Sequence, residues 1–182
     1  LRGISMTPFP FHVYRIDIKY IRDLQRVDDR VMSVSPQIGK EERPFLGVIV
    51  MCNGMKYCVP LSKPKEKHKR MRNKIDFKKI EVDGNLLGVL NFNLMIPVTD
   101  RQIKRIDTTI RKHDNSNIKS RKELLAKELE WCNEHFVDLC NTANVLYKKY
   151  ISGEAFSAKT QCLDFPKLEM ACNIYNQKQQ LK

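Results

Sequence analysis

Between Leu61 and Ile80 the sequence holds one hydroxyl, Ser62, one imidazole, His68, and nine lysines and arginines against only Glu66 and Asp76. The cations are Lys63, Lys65, Lys67, Lys69, Arg70, Arg72, Lys74, Lys78 and Lys79, and they supply over half of the chain's formal charge of +12. Two readings stay open. A charge run often serves as a solvated, solubilising loop. The same density is also what the phosphates of a nucleic acid require, and Ser62 and His68 add groups that donate or exchange protons. A lone histidine is itself open between a structural and a catalytic role.

If the polyanion is RNA, its 2′-hydroxyl can attack the neighbouring phosphorus. The protein must then supply in-line geometry, cationic donors to the phosphorane oxygens, and proton exchange at the 2′ and 5′ oxygens. Ser62, Lys63, Lys65, Arg43 and His68 contain groups for all three tasks. Other chemistries lack residues. The adjacent carboxylates Asp28-Asp29 sit at a probable helix end, unsuited to two-metal chemistry, and neither a phosphate-binding glycine loop nor a G-x-S-x-G elbow is present. The six cysteines include no C-x-x-C pair, and the four histidines show no ligand spacing. Free, mostly buried thiols are expected, with a zinc site as the alternative. No metal and no cofactor is expected.

The elements that must position these groups follow from periodicity. His12 to Ile18 alternates as a strand, and Asp17 to Asp28 switches to helical spacing through Ile18, Ile21 and Leu24. Val31 to Arg43, with Pro36 and Gly39, reads as a loop. Phe45 to Met51 and Met55 to Leu61 flank Asn53-Gly54, a hairpin signal, and Lys74 to Val82, Leu86 to Leu90 and Phe92 to Val98 continue the strands. Thr99-Asp100 predicts the cap of a helix carrying Ile103 and Ile106. An apolar stripe from Leu125 to Tyr150 predicts one long helix capped by Ser120 and stopped at Ser152-Gly153, either laid across the sheet or forming a coiled-coil seam. A last helix starts near Asp164 and Pro166.

The expected fold is therefore α+β: a small twisted antiparallel sheet closing toward a barrel, with added helices including a long one in the C-terminal half. With 182 residues, 42% of them hydrophobic, one domain over 1–182 is expected, β-rich over about 11–98 and helical over about 99–182. No apolar run nears a membrane span, and Pro8 and Pro10 interrupt the only candidate leader, so a cytoplasmic protein is expected, with Met6 a candidate start.

Four ordered segments resemble the ToxN/AbiQ-like toxins of bacterial type III toxin–antitoxin systems: KYIRDLQRVDDRV (Lys19 to Val31), PFLGVIV (Pro44 to Val50), KYCVPLSKPKEKH (Lys56 to His68) and LGVLNFNLMIPV (Leu87 to Val98). The resemblance covers nearly the whole chain. It implies a fold similar to the SH3-like CcdB/MazF toxin barrel and a metal-independent endoribonuclease, active in phage defence, that leaves a 2′,3′-cyclic phosphate. It also implies a repetitive, pseudoknotted RNA antitoxin, which the toxin processes and with which it closes into a protein–RNA assembly, and cellular or phage RNA as substrate. By the same resemblance Tyr20, Arg43, Ser62 and Lys65 are site residues.

This chain departs from its relatives in two places. Many carry two adjacent hydroxyls before Pro-Lys, where Ser62-Lys63 stands here, and an aromatic shortly after the lysine is replaced by Lys67. Tyr20 is open between a packing aromatic and a phenol facing the groove. Lys67, Lys69, Arg70, Arg72 and Lys74 are the expected RNA-binding side chains. Lys119, Arg121 and Lys122 either extend that surface or form a solvated helix face. The rival functions are a non-catalytic RNA-binding module and a DNA- or gyrase-directed toxin.

Overall fold

The structure, a computed structural model, describes residues 10–38 and 42–181. Met6, Pro8 and Gly39 lie outside the described residues. Strand β1 (His12–Ile16) runs directly into helix α1 (Ile18–Val27) because Asp17 accepts the N–H of Tyr20 at 2.9 Å and caps the helix. Strands β2 (Phe45–Val50) and β3 (Lys56–Ser62) form the hairpin that Asn53-Gly54 predicts, with Gly54 at positive φ. After the short helix α2 (Glu66–Arg70), β4 (Phe77–Val82) and β5 (Asn85–Asn91) are joined by Asp83-Gly84, both at positive φ as a two-residue hairpin turn requires.

Strand β3 organises the sheet. One edge pairs with β2, and the other is shared by β5 at the Ser62 end and by β6 (Ile96–Val98) at the Lys56 end. A 3-10 turn over Phe92–Leu94 separates β5 from β6, so the strand expected over Phe92 to Val98 shrinks to its last three residues. The residues around Ile103 form strand β7 (Ile103–Arg105), not a helix. Gln102 accepts both the N–H and the hydroxyl of Thr99, at 2.7 and 2.8 Å, closing a tight turn. The unpaired edge of β1 then takes up the three residues in antiparallel register.

The sheet order is β4-β5-β3-β2-β1-β7, an open path. Among the described residues β4 and β7 do not pair, so the expected closure toward a barrel is not reached. The outer edge of β4 is satisfied instead by the chain before it. Lys74 N–H donates to the Phe77 carbonyl and Asn73 Oδ1 accepts the Lys79 N–H, both at 2.8 Å.

The single long helix is two. α3 (Ser116–Glu134) is capped by Asn115, whose side chain accepts the Ile118 N–H at 2.9 Å, and Ser120 lies inside it. α4 (Phe136–Ile151) begins after a break at His135, whose ring stacks on Trp131 with centroids 3.9 Å apart while Phe136 turns onto Phe11. The apolar stripe still faces one core: Cys132, Leu139, Ala143 and Leu146 are fully buried, which leaves no seam for a coiled coil. α5 (Phe165–Gln180) starts at the Asp164 cap as predicted and packs its Glu169 on the hydroxyls of Tyr57 and Tyr147. All six cysteines are free, four of them buried. No helix among the described residues is long and apolar enough to cross a membrane.

Candidate active site

Ser62 is the last residue of β3 and pairs with Val89 of β5, which pairs in turn with Lys79 of β4. On the other side Phe45 pairs with Pro60 and Leu61 N–H donates to the Pro44 carbonyl at 3.0 Å. Arg43 stands just before Pro44, one residue beyond this last hydrogen-bonded step. Directly paired residues share a sheet face, so Ser62, Val89 and Lys79 belong to one side. Asn91, paired with Phe77, lies diagonally across from Ser62 on the same face. Its Nδ2 reaches Ser62 Oγ at 3.4 Å, a long contact for a hydrogen bond.

The chain leaving β3 is held in a defined shape. Lys65 N–H donates to His68 Nδ1 at 2.8 Å, and His68 N–H donates to the Lys65 carbonyl at 2.9 Å, a reciprocal capping pair that opens α2. The imidazole is buried against Phe77 with ring centroids 5.3 Å apart. Burial, reinforced by the charges of Lys67 and Lys65, lowers its pKa. An Nδ1 that accepts a backbone N–H carries no proton, so His68 is neutral with its hydrogen on Nε2. It positions Lys65. Its availability for proton exchange, the role read from its type alone, is correspondingly reduced.

Lys63 and Lys65 are exposed beside Ser62, and among the described residues neither forms an ion pair. Lys67, Lys69, Arg70, Arg72 and Lys74 are also exposed, with Lys69 paired to Glu66 at 2.9 Å. The basic stretch is thus a folded rim, a short helix and a turn, and not a loose loop. Arg43 is half-buried, donates from Nε to the Ser33 carbonyl at 3.0 Å, and has its pKa lowered by burial while remaining a cation at neutral pH. Glu42 beside it pairs with Arg15 and, at 3.6 Å, with Arg121, tying the start of α3 to this edge.

Two expected residues stand elsewhere. Tyr20 is completely buried and its hydroxyl donates to the Pro97 carbonyl, so it faces no groove; burial drives the phenol pKa far up. Lys122 is spent on structure. Its Nζ lies 2.7 Å from Asp114 and 2.8 Å from the Thr109 carbonyl, with only 18% of the side chain exposed. Lys119 is exposed at the same helix start. Sequence reasoning did not single out Asn91 or Phe77, whose only signal was their place at strand ends. Among the described residues no three His, Cys, Asp or Glu side chains converge as a metal-binding group.

An α+β protein with a strand-end hydroxyl followed by exposed lysines and a basic rim is of the phosphate-handling class. The comparisons with known proteins make the family explicit. The family described as "Toxin ToxN, type III toxin-antitoxin system" matches residues 12–173, and the chain belongs to it. It is 29% identical over 177 residues to the Endoribonuclease ToxN of Bacillus thuringiensis subsp. kurstaki, covering 94% of this chain and 87% of that protein. With the Endoribonuclease ToxN of Pectobacterium atrosepticum it shares 25% over 145 residues, 78% of this chain and 82% of the relative.

Among solved structures, a type III toxin described as selectively inhibited by a non-coding RNA pseudoknot superposes with a TM-score of 0.73 at 26% identity, over 92% of this chain and 99% of the other. AbiQ, a lactococcal anti-phage endoribonuclease of the type III systems, superposes with a TM-score of 0.78 over 93% of this chain and 99% of its own; at 20% identity this likeness bears on the fold alone.

Proposed function

We propose that this protein is a metal-independent endoribonuclease toxin of a type III toxin–antitoxin system, active in the cytoplasm and held inactive by a repetitive, pseudoknotted RNA antitoxin that it also processes. What supports the reading is that β3 ends at Ser62 and runs directly into the exposed Lys63 and Lys65, beside the Pro44 carbonyl that follows Arg43, in a chain belonging to the ToxN family. The substrate's 2′-hydroxyl attacks the adjacent phosphorus and the 5′ oxygen leaves, giving a 2′,3′-cyclic phosphate. Arg43 and Lys65 stabilise the charge on the phosphorane oxygens. Ser62 orients the phosphate and relays a proton, with Asn91 fixing the direction of its Oγ. Lys63 and the exposed cations of residues 67–74 hold the flanking phosphates. The open sheet is read as an opened relative of the SH3-like CcdB/MazF barrel, and the whole chain as one domain.

The test is incubation of antitoxin-free protein with mixed-sequence RNA in EDTA, followed by analysis of the 3′ ends. Cyclic-phosphate termini are expected, and Ser62→Ala and Lys65→Ala should each abolish growth arrest while the protein stays folded and keeps much of its RNA affinity. Salt-dependent binding without cleavage would favour a non-catalytic RNA-binding module. Cleavage of duplex DNA would favour the DNA-directed reading, because DNA has no 2′-hydroxyl.

A further inference from the structure

The segment Lys19 to Val31 carries part of the family resemblance, yet its aromatic is sealed in the core. Its exposed residues build something else. Tyr20, Ile21 and Leu24 turn inward, which leaves Lys19, Arg22 and Arg26 on the outer face of α1. Opposite them α5 presents Tyr175 and Lys178, and the two helices enclose a groove of about 570 Å³. Its floor is fixed: the Tyr175 ring meets the edge of Tyr20 with centroids 5.1 Å apart, and its hydroxyl donates to Asp17 at 3.3 Å. The one acid in the groove wall, Asp23, is paired with Arg26 at 2.9 Å. Lys19, Arg22 and Lys178 form no ion pair among the described residues.

This groove is separate from the Ser62 face. Tyr20 anchors α1 on Pro97, which pairs with Tyr57 near the start of β3, whereas Ser62 is its last residue. Five residues of strand at about 3.3 Å each put the two regions roughly 17 Å apart along β3. We propose that the α1–α5 groove is a second site for the phosphate backbone of RNA, binding a part of the molecule remote from the bond being cut. The proposal rests on the reading that this protein acts on RNA.

The spacing supports it. At 1.5 Å rise per residue, Lys19, Arg22 and Arg26 spread over about 10 Å of one helix face, or about three steps of a duplex strand at 3.4 Å each, while Lys178 approaches from the opposite wall. An anionic membrane is the poorer partner. Interfacial helices need an apolar face to insert, and that of α1 is consumed by the core, with Leu181 the one apolar tip at the groove.

The experiment compares Lys19→Gln/Arg22→Gln/Lys178→Gln with the parent chain, both carrying Ser62→Ala so that RNA survives. Binding of a structured hairpin RNA of about 30 nucleotides and of a single-stranded hexamer is measured across salt concentrations. The hairpin's log–log salt slope should fall by about 2 to 3, and hexamer binding should not change. In chains with Ser62 restored, hexamer cleavage should be the same with and without the three substitutions. All three side chains are exposed, so matching thermal melts are expected, and Lys178→Gln alone should lower the slope by about 1.

An unchanged hairpin slope overturns the proposal, as does an equal loss on the hexamer. A loss seen only with phosphatidylserine vesicles or with polyglutamate, the hairpin being unaffected, overturns it in favour of a membrane or an acidic protein. If the parent cuts no RNA but the hairpin slope still drops, the groove stands and the catalytic reading falls.

Discussion

The Nδ1 of His68 and the backbone N–H of Lys65 are hydrogen-bonded at 2.8 Å, so the histidine inside the basic stretch acts on the lysine's backbone. Removing it as His68→Ala frees the loop after β3 and should lower RNA cleavage by up to roughly 100-fold, the scale on which misplacing a reacting group costs rate. Gln at the same position can accept the Lys65 N–H as the third residue of a capping box does. His68→Gln should therefore recover most of the activity and leave the shape of the pH–rate profile unchanged. Equal inactivity of the two variants, or loss of a limb near the histidine range in His68→Gln, would make His68 the proton-exchanging group.

Tyr20 gives the opposite kind of expectation, a residue that looks chemical and is structural. Its hydroxyl donates to the Pro97 carbonyl in a fully buried setting. Tyr20→Phe deletes the donor and leaves that carbonyl unpaired, which should cost about 1 to 3 kcal/mol in urea unfolding. Cleavage per folded molecule should stay within about two-fold of the parent, since the ring continues to pack. A large loss of activity without a loss of stability would restore the phenol to the reaction.

How much of this was legible in the sequence depended on the range of the interaction. The β2–β3 hairpin was readable because Asn53-Gly54 carries its own turn geometry, and α5 because Asp164 and Pro166 cap it locally. Ser62 and Lys65 stood out as candidates because the charge around them is dense and contiguous. Long-range pairing was not readable. Ile103–Arg105 became a strand because β1 offered an open edge, and the helix broke at His135 where Phe136 could reach Phe11. Asn91 could not be found beside Ser62 without the β3–β5 register, and nothing in a list of cations separates Lys122, held by Asp114, from the exposed Lys119.

Lys122 makes that distinction measurable. Its ammonium bonds Asp114 at 2.7 Å and the Thr109 carbonyl at 2.8 Å, closing the chain before α3 onto the helix. Lys122→Met keeps the aliphatic stem and removes the charge. Its melting midpoint should fall by roughly 3 to 6 °C, with the salt dependence of RNA binding unaltered. Lys119→Met, at an exposed position, should leave the midpoint unchanged. If Lys122→Met instead reduces the salt slope by about 1, the side chain contacts a phosphate.

Glu128 contributes a pH dependence to stability. It lies on α3 against Gly88 of β5, so close that a Cβ at Gly88 would collide with its carboxyl, and only 5% of the residue is exposed. No cation pairs with it among the described residues, and burial raises its pKa from 4.5 to about 8. The folded state therefore holds this proton more tightly than the unfolded chain does. Its contribution to stability is fully present below about pH 4.5 and is lost progressively as pH rises through about 8, where the loss levels off. At about 1.4 kcal/mol per unit, the fall is bounded at about 5 kcal/mol. Thermal or urea unfolding between pH 5 and pH 9 should show stability dropping across this window in the parent. Glu128→Gln, which cannot ionise, should lack the Glu128-linked fall, so that the difference between the two proteins widens steadily with pH. Parallel stability curves for parent and variant would mean that the carboxyl is already ionised in the fold, with a compensating partner.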